Sequence, residues 1–192
     1  MIRMAILALL WATAGAAAGA ASAATPGEVP VGGVLREAVL QGLNGPSVPL
    51  SQFRGSPLII NVWASWCGPC QAEMASLERL AWLELPVRFK IIGISTDDDA
   101  DQAKRLLART NATLSHFIDR QLQLENMLGA SRLPLTLLVD ADGRVLRKIY
   151  GARQWDDADS LQLIADTFRA AARRTVQTSS TTGFFMTKVR MP

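Results

Sequence analysis

The residues best suited to chemistry are Trp66-Cys67-Gly68-Pro69-Cys70, because Cys67 and Cys70 are the only cysteines in the 192-residue chain. They follow the apolar run Leu58 to Ala64 and precede a helical pattern that begins near Gln71. A strand that passes directly into a helix puts Cys67 at the helix mouth and Cys70 one turn further in, on the same face. The two sulfurs can therefore bond to each other. At the mouth, unpaired backbone N–H groups and the positive end of the helix dipole favour negative charge, so Cys67 should ionise more readily than a free thiol. Cys70 should keep its proton longer. The asymmetry makes Cys67 an attacking thiol that forms a mixed disulfide and Cys70 the resolving thiol that displaces it. Pro69 suits a first helical turn, and Gly68 lets another chain approach closely.

Other uses of two cysteines fit less well. A structural zinc site normally takes four ligands, and beyond the cysteines the chain offers one histidine, His116. A purely structural disulfide would close so short a loop that it restrains the unfolded chain little. Cu(I) delivery would suit two soft sulfur ligands, but no Met or His cluster sits beside the pair. A Cys-x-x-Cys pair near a βαβ pattern is instead the expected signature of a redox motif.

The surrounding elements must hold that pair in place. Leu58 to Ser65 reads as a central strand covered on both faces, with Asn61 its one polar interior residue. The helix after it carries Met74, Leu77, Leu80, Ala81 and Leu83 as a core stripe, and Pro86 ends the element. A strand over Val87 to Ser95 follows, then a helix capped by Thr96 or Asp97 that ends near Asn111. The run Asp97-Asp98-Asp99 lacks the longer ligand pattern of a calcium loop and reads as capping plus a solvated face. Ser115 to Asp119 is a short strand, Gln121 to Leu128 a short helix closed by Gly129, and His116 a surface or packing residue. Strands Leu135 to Val139 and Arg144 to Tyr150 are joined at Asp140-Ala141-Asp142-Gly143, and a last helix runs from Trp155 to about Arg173. Upstream, Leu35 to Gln41 and Ser47 to Leu50 form a hairpin around Asn44-Gly45. This order predicts an α/β fold with a mixed central sheet, helices on both faces and an added N-terminal β-hairpin.

The segment Asn61-Val62-Trp63-Ala64-Ser65-Trp66-Cys67-Gly68-Pro69-Cys70 resembles the active-site segment of the thioredoxin superfamily. The pattern from Val34 to Arg173 is similar to exported TlpA/ResA-type thiol-disulfide oxidoreductases. The resemblance implies a thioredoxin fold, protein thiol or disulfide substrates such as apocytochrome c or copper-site cysteines, a membrane electron donor, and no dissociable cofactor. The Gly-Pro dipeptide between the cysteines leans toward reduction of substrates. Cytoplasmic thioredoxins commonly place an aspartate where this chain has Asn61, which cannot take up a proton. Glu73, three residues beyond Cys70 on the same helical face and also found in TlpA/ResA-like proteins, is the candidate proton acceptor. The resemblance also places a cis-proline facing the cysteine pair at Pro134, with the Leu133 backbone turned toward an extended substrate peptide. Trp66, Gly68, Pro69, Leu133 and Pro134 are thus the expected substrate platform. A thiol peroxidase on the same fold is the further alternative, but Ala64 stands where its Thr-x-x-Cys signature would need threonine.

Met1 to Ala24 reads as an export signal, with Arg3 at its positive start, an apolar centre from Ile6 to Trp11 and a small-residue cleavage pattern at Ala21-Ser22-Ala23. The alternative is an uncleaved anchor, since Met4 to Ala24 carries no charge over nearly a bilayer-spanning length. Either reading puts residues 34–173, the thioredoxin-like domain, in the periplasm or another extracytoplasmic space, after a linker at residues 25–33. Residues 174–192 read as a disordered tail. The net charge of +3, from 20 basic and 17 acidic residues interspersed along the chain, excludes a nucleic-acid-binding patch.

Overall fold

The apolar run before the cysteines forms a strand, Leu58–Trp63, that is buried at every position, as a strand covered from both sides must be. The computed structural model describes residues 25–185, and the Met1 to Ala24 leader lies outside the described residues. Among these, the elements run β1 (Val39–Gly42), β2 (Val48–Pro49), β3 (Leu58–Trp63), α1 (Gly68–Trp82), β4 (Lys90–Ser95), α2 (Ala100–Arg109), β5 (Ser115–Ile118), α3 (Gln123–Leu128), β6 (Leu135–Val139), β7 (Val145–Tyr150) and α4 (Ala158–Phe185). The strand order β2-β1-β5-β4-β3-β6-β7 makes one mixed sheet, with β3 parallel to β4 and antiparallel to β6.

Period-two alternation along β3 divides the core. Leu58, Ile60 and Val62 face Leu124 and Leu128 of α3, while Ile59 faces Leu77 and Leu80 of α1 and Ile164 and Phe168 of α4. Helices therefore cover both faces, as the sequence predicts. Asn61 and Trp63 share the face of Ile59, which brings them under α1.

Several boundaries differ from the sequence reading for identifiable reasons. The N-terminal hairpin is present but shorter, and it extends the sheet: Gln41 and Gly42 of β1 pair with Ile118 and Phe117 of β5. Leu35 is drawn away from the hairpin because its N–H bonds the carbonyl of Gly143 at 2.9 Å. Residues 25–33, expected as a linker, lie against the domain. Val29 is buried and its N–H bonds the Met127 carbonyl at 2.9 Å, while Glu28 forms an ion pair with Lys148. The cap of α2 is Asp99, whose carboxylate accepts the N–H of Asp101 at 2.8 Å. Thr96 and Asp97 were expected there, but the Asp97 carboxylate is committed elsewhere. Helix α4 begins at Ala158 and continues to Phe185, past the expected end near Arg173, since extending an existing helix costs far less than starting one.

Candidate functional site

Where β3 ends, the chain turns through Ser65 and Trp66 and enters α1. Cys67 is the N-cap in extended backbone conformation, and the N–H of Cys70 points at its Sγ at 3.2 Å. The cysteine pair is a disulfide of S–S length 2.06 Å with Cα atoms 5.3 Å apart. Cys67 is 6% exposed and Cys70 fully buried, while Trp66 beside them is 70% exposed. Pro69 falls in the first turn of α1, where its missing N–H interrupts no helical bond. The two sulfurs thus stand in unequal surroundings, one at the rim and one inside.

The turn before Cys67 is fixed by Asp97. Its buried carboxylate accepts the Ser65 N–H at 2.9 Å, the Ser65 hydroxyl at 2.6 Å and the Ser95 hydroxyl at 2.7 Å. The Gln71 side chain closes the same turn by donating to the Ser65 carbonyl at 2.7 Å. By sequence alone Asp97 belongs to a solvated acidic run. Its position directly after a buried strand was the only signal that it would fold inward.

Opposite the pair, the Leu133–Pro134 peptide bond is cis. Leu133 is half-buried and packs on the apolar cluster that contains both cysteines. The Pro134 carbonyl accepts the Gly151 N–H at 2.9 Å, and β6 begins at the next residue. An open groove of about 570 Å³ runs beside Cys67, with Trp66, Gly68, Pro69 and Leu133 in its lining. Of the five residues expected as a substrate platform, Trp66, Gly68, Pro69 and Leu133 line the groove, and Pro134 follows Leu133 across the cis bond.

Glu73 lies on α1 one turn beyond Cys70 and is 1% exposed. Its Oε1 accepts from the Asn61 amide at 2.7 Å, and its Oε2 accepts from the Trp155 indole at 2.9 Å and the Arg153 backbone N–H at 3.1 Å. Burial pushes this carboxyl above its ordinary value, and the three donors only partly oppose the shift. The Asn61 amide also donates to the Thr136 hydroxyl at 3.0 Å, so β3, α1 and the segment before α4 meet at one carboxylate and β6 is tied in through Asn61. Trp155, Arg153 and Thr136 were not singled out in the sequence as site residues. The signal available for Trp155 was chemical, since a buried indole N–H requires an acceptor.

The same sheet row continues through Gly93 to His116, which is paired with it on β5. His116 is 5% exposed, so it is a buried packing residue and not a surface one, and it stands edge-on to Trp63 with ring centroids 5.5 Å apart. Neither of its ring nitrogens nor Trp63 Nε1 has a hydrogen-bond partner.

Comparison with known proteins agrees with this geometry. Residues 22–164 match the family described as Redoxin. The chain is 30% identical over 129 residues to the thiol-disulfide oxidoreductase ResA of Geobacillus thermodenitrificans, an alignment covering 67% of this chain and 74% of that protein. It is likewise 30% identical over 131 residues to ResA of Geobacillus kaustophilus, covering 68% and 75%. A crystal structure from Chlorobium tepidum, described as a thiol:disulfide interchange protein DsbE, matches with a TM-score of 0.66 and 26% identity over 73% of this chain and 99% of that one.

Proposed function

Because the chain belongs to the thioredoxin-like, ResA-type thiol-disulfide oxidoreductases, we propose that it acts outside the cytoplasm as a reductase of protein disulfides, with Cys67 as nucleophile and Cys70 as resolving thiol. In the reduced enzyme the Cys67 thiolate attacks one sulfur of a substrate disulfide, forming a mixed disulfide and releasing the other substrate sulfur as a thiolate. Cys70 then attacks Cys67 Sγ, releasing the second substrate thiol and leaving the enzyme disulfide. Two electrons and two protons pass to the substrate. Glu73 accepts the Cys70 proton in the second step and yields it to the departing substrate thiolate, while the first substrate thiolate takes its proton from solvent. Trp66, Gly68, Pro69, Leu133 and Pro134 hold the substrate chain, and a membrane electron donor restores the dithiol.

The observation that carries this reading is the inequality of the two sulfurs. Cys67 caps a helix N-terminus at the rim of a groove, whereas Cys70 is sealed inside one turn from a buried carboxyl. The export signal read at Met1 to Ala24 supports action on extracytoplasmic proteins such as apocytochrome c or copper-site cysteines. Among the described residues, no helix is long and apolar enough to cross a membrane.

The test is trapping. Cys70→Ala leaves Cys67 unable to release its mixed disulfides, so substrates should remain attached and can be identified. Equal trapping by Cys67→Ala would refute the order of attack. A strongly oxidising potential in equilibration with glutathione would refute the direction of electron flow.

A further inference from the structure

A substrate whose sulfur reaches Cys67 must cover the groove beside it, so the charges lining that groove bear directly on which disulfides can react. Apolar Trp66, Leu122 and Leu133 supply most of a platform for an extended chain. Two charged side chains line it, Asp98 and Glu125, and both are acidic. They stand out in a chain whose net charge is +3.

The basic residues that flank Glu125 in the sequence have partners of their own. Arg120 donates through Nε to the backbone carbonyl of Asp98 at 3.1 Å, and the Arg132 guanidinium lies over the Tyr150 ring at 5.1 Å. Among the described residues, none of the ion pairs involves Asp98 or Glu125. Glu125 is half-buried, and Asp119, which accepts the Glu125 backbone N–H at 2.7 Å, lies close by. Burial and the negative charge of Asp119 both push the Glu125 carboxyl above its ordinary value. A carboxylate in that position lacks a counter-ion, and a cation brought by the substrate would supply one.

We propose that this groove selects disulfide-bearing polypeptides with lysine or arginine close to the reacting cysteine, and that Glu125 and Asp98 are its specificity residues. The inference rests on the reductase reading above and adds the charge of the substrate to it. Complementary charge at a groove rim acts mainly on encounter and on discrimination between partners, and it weakens as salt screens it.

The experiment uses three disulfide peptides that are identical except for lysine, glutamate or glutamine two residues from the cysteine. The reduced full-length enzyme should show a kcat/KM about five-fold higher for the lysine peptide than for the glutamate peptide at low ionic strength. That ratio should fall toward one at about 0.5 M salt, where screening acts within about 4 Å. It should also fall in Glu125→Gln combined with Asp98→Asn, a near-isosteric pair of changes. The salt titration of the unaltered protein stands even where the double variant folds poorly. Reduction of all three peptides at equal rates, or a preference that survives both substitutions, would overturn this inference alone. Failure to reduce even the glutamine peptide would overturn the reductase reading and the inference with it.

Discussion

As pH falls from 6.5 to about 4, the oxidised protein should lose about 3 kcal/mol of stability through His116 alone. The ring is sealed between β4 and α1, edge-on to Trp63 and with no hydrogen-bond partner at either nitrogen. Burial pushes its pKa down from 6.5 to about 4, opposed only in part by the negative charge of Glu78. The unfolded chain therefore takes up the imidazole proton before the folded one does. Stability from this group is intact above pH 6.5, declines as pH falls through the interval, and has no further to fall below about pH 4. A displacement of about 2.5 units at 1.36 kcal/mol per unit sets the full loss, of which about 2 kcal/mol is already gone at pH 5. The assay is urea unfolding of the unaltered protein and of His116→Phe at about pH 7.5 and about pH 5. Phenylalanine keeps an aromatic ring against Trp63 but cannot titrate, and contributions from Glu73, Glu28 and the other carboxyls cancel in the comparison. Parallel loss of stability in the two proteins across this interval would refute the reasoning.

Gly93→Ala should be among the most disruptive small changes in the sheet, because a Cβ there would stand 2.1 Å from His116 Nδ1 and 2.9 Å from Trp63 Nε1. A loss of about 1–3 kcal/mol is expected in thermal or urea unfolding. Trp155→Phe removes the indole donor from Glu73 Oε2 but keeps an aromatic ring, so it should cost about 1–3 kcal/mol when Glu73 is ionised and less as pH falls and the carboxyl protonates. The same change should move the pH profile of mixed-disulfide resolution upward, read by stopped-flow kinetics. Asp97→Ala leaves the Ser65 N–H and two serine hydroxyls without their shared acceptor. Faster amide exchange at Ser65 and a loss of about 1–3 kcal/mol should follow.

What was legible in the sequence was local or periodic. Leu58 to Ser65 read as a buried strand because a run with Asn61 as its one polar interior residue has few other homes, Leu135 to Val139 read as a strand, and Gly129 closed its helix where an αL residue was needed. Spacing singled out Cys67 and Cys70 as candidates, and helical offset together with the family resemblance singled out Glu73. What escaped was whatever depends on a distant partner. The N-cap of α2 fell to Asp99 because Asp97 is claimed by Ser65 on another loop, a competition that spacing within the run cannot reveal. Val29 looked like part of a proline- and glycine-rich linker, and only its bond to Met127 shows that it closes the core. The donors around Glu73 come from Asn61, Arg153 and Trp155, up to 82 residues away in sequence.

That convergence bears on how Glu73, the proposed proton acceptor, would serve behind Cys70 when the strand beneath it carries Asn61. Asn61 holds no charge and donates an N–H, so it steadies the ionised Glu73 without adding a second negative group to the buried region. In the proposed reaction Cys70 must become a thiolate while sealed from water. Were its proton to leave for solvent with Glu73 still ionised, two negative charges would stand one helical turn apart in a low-dielectric interior, a costly arrangement. Moving the proton from Cys70 to Glu73 keeps one negative charge there before and after the transfer. The same burial that raises Glu73 above an ordinary carboxyl brings its proton affinity closer to that of a thiol, which makes the transfer less uphill. An aspartate at position 61 would place a second acidic group against Glu73, which the neutral amide of Asn61 avoids.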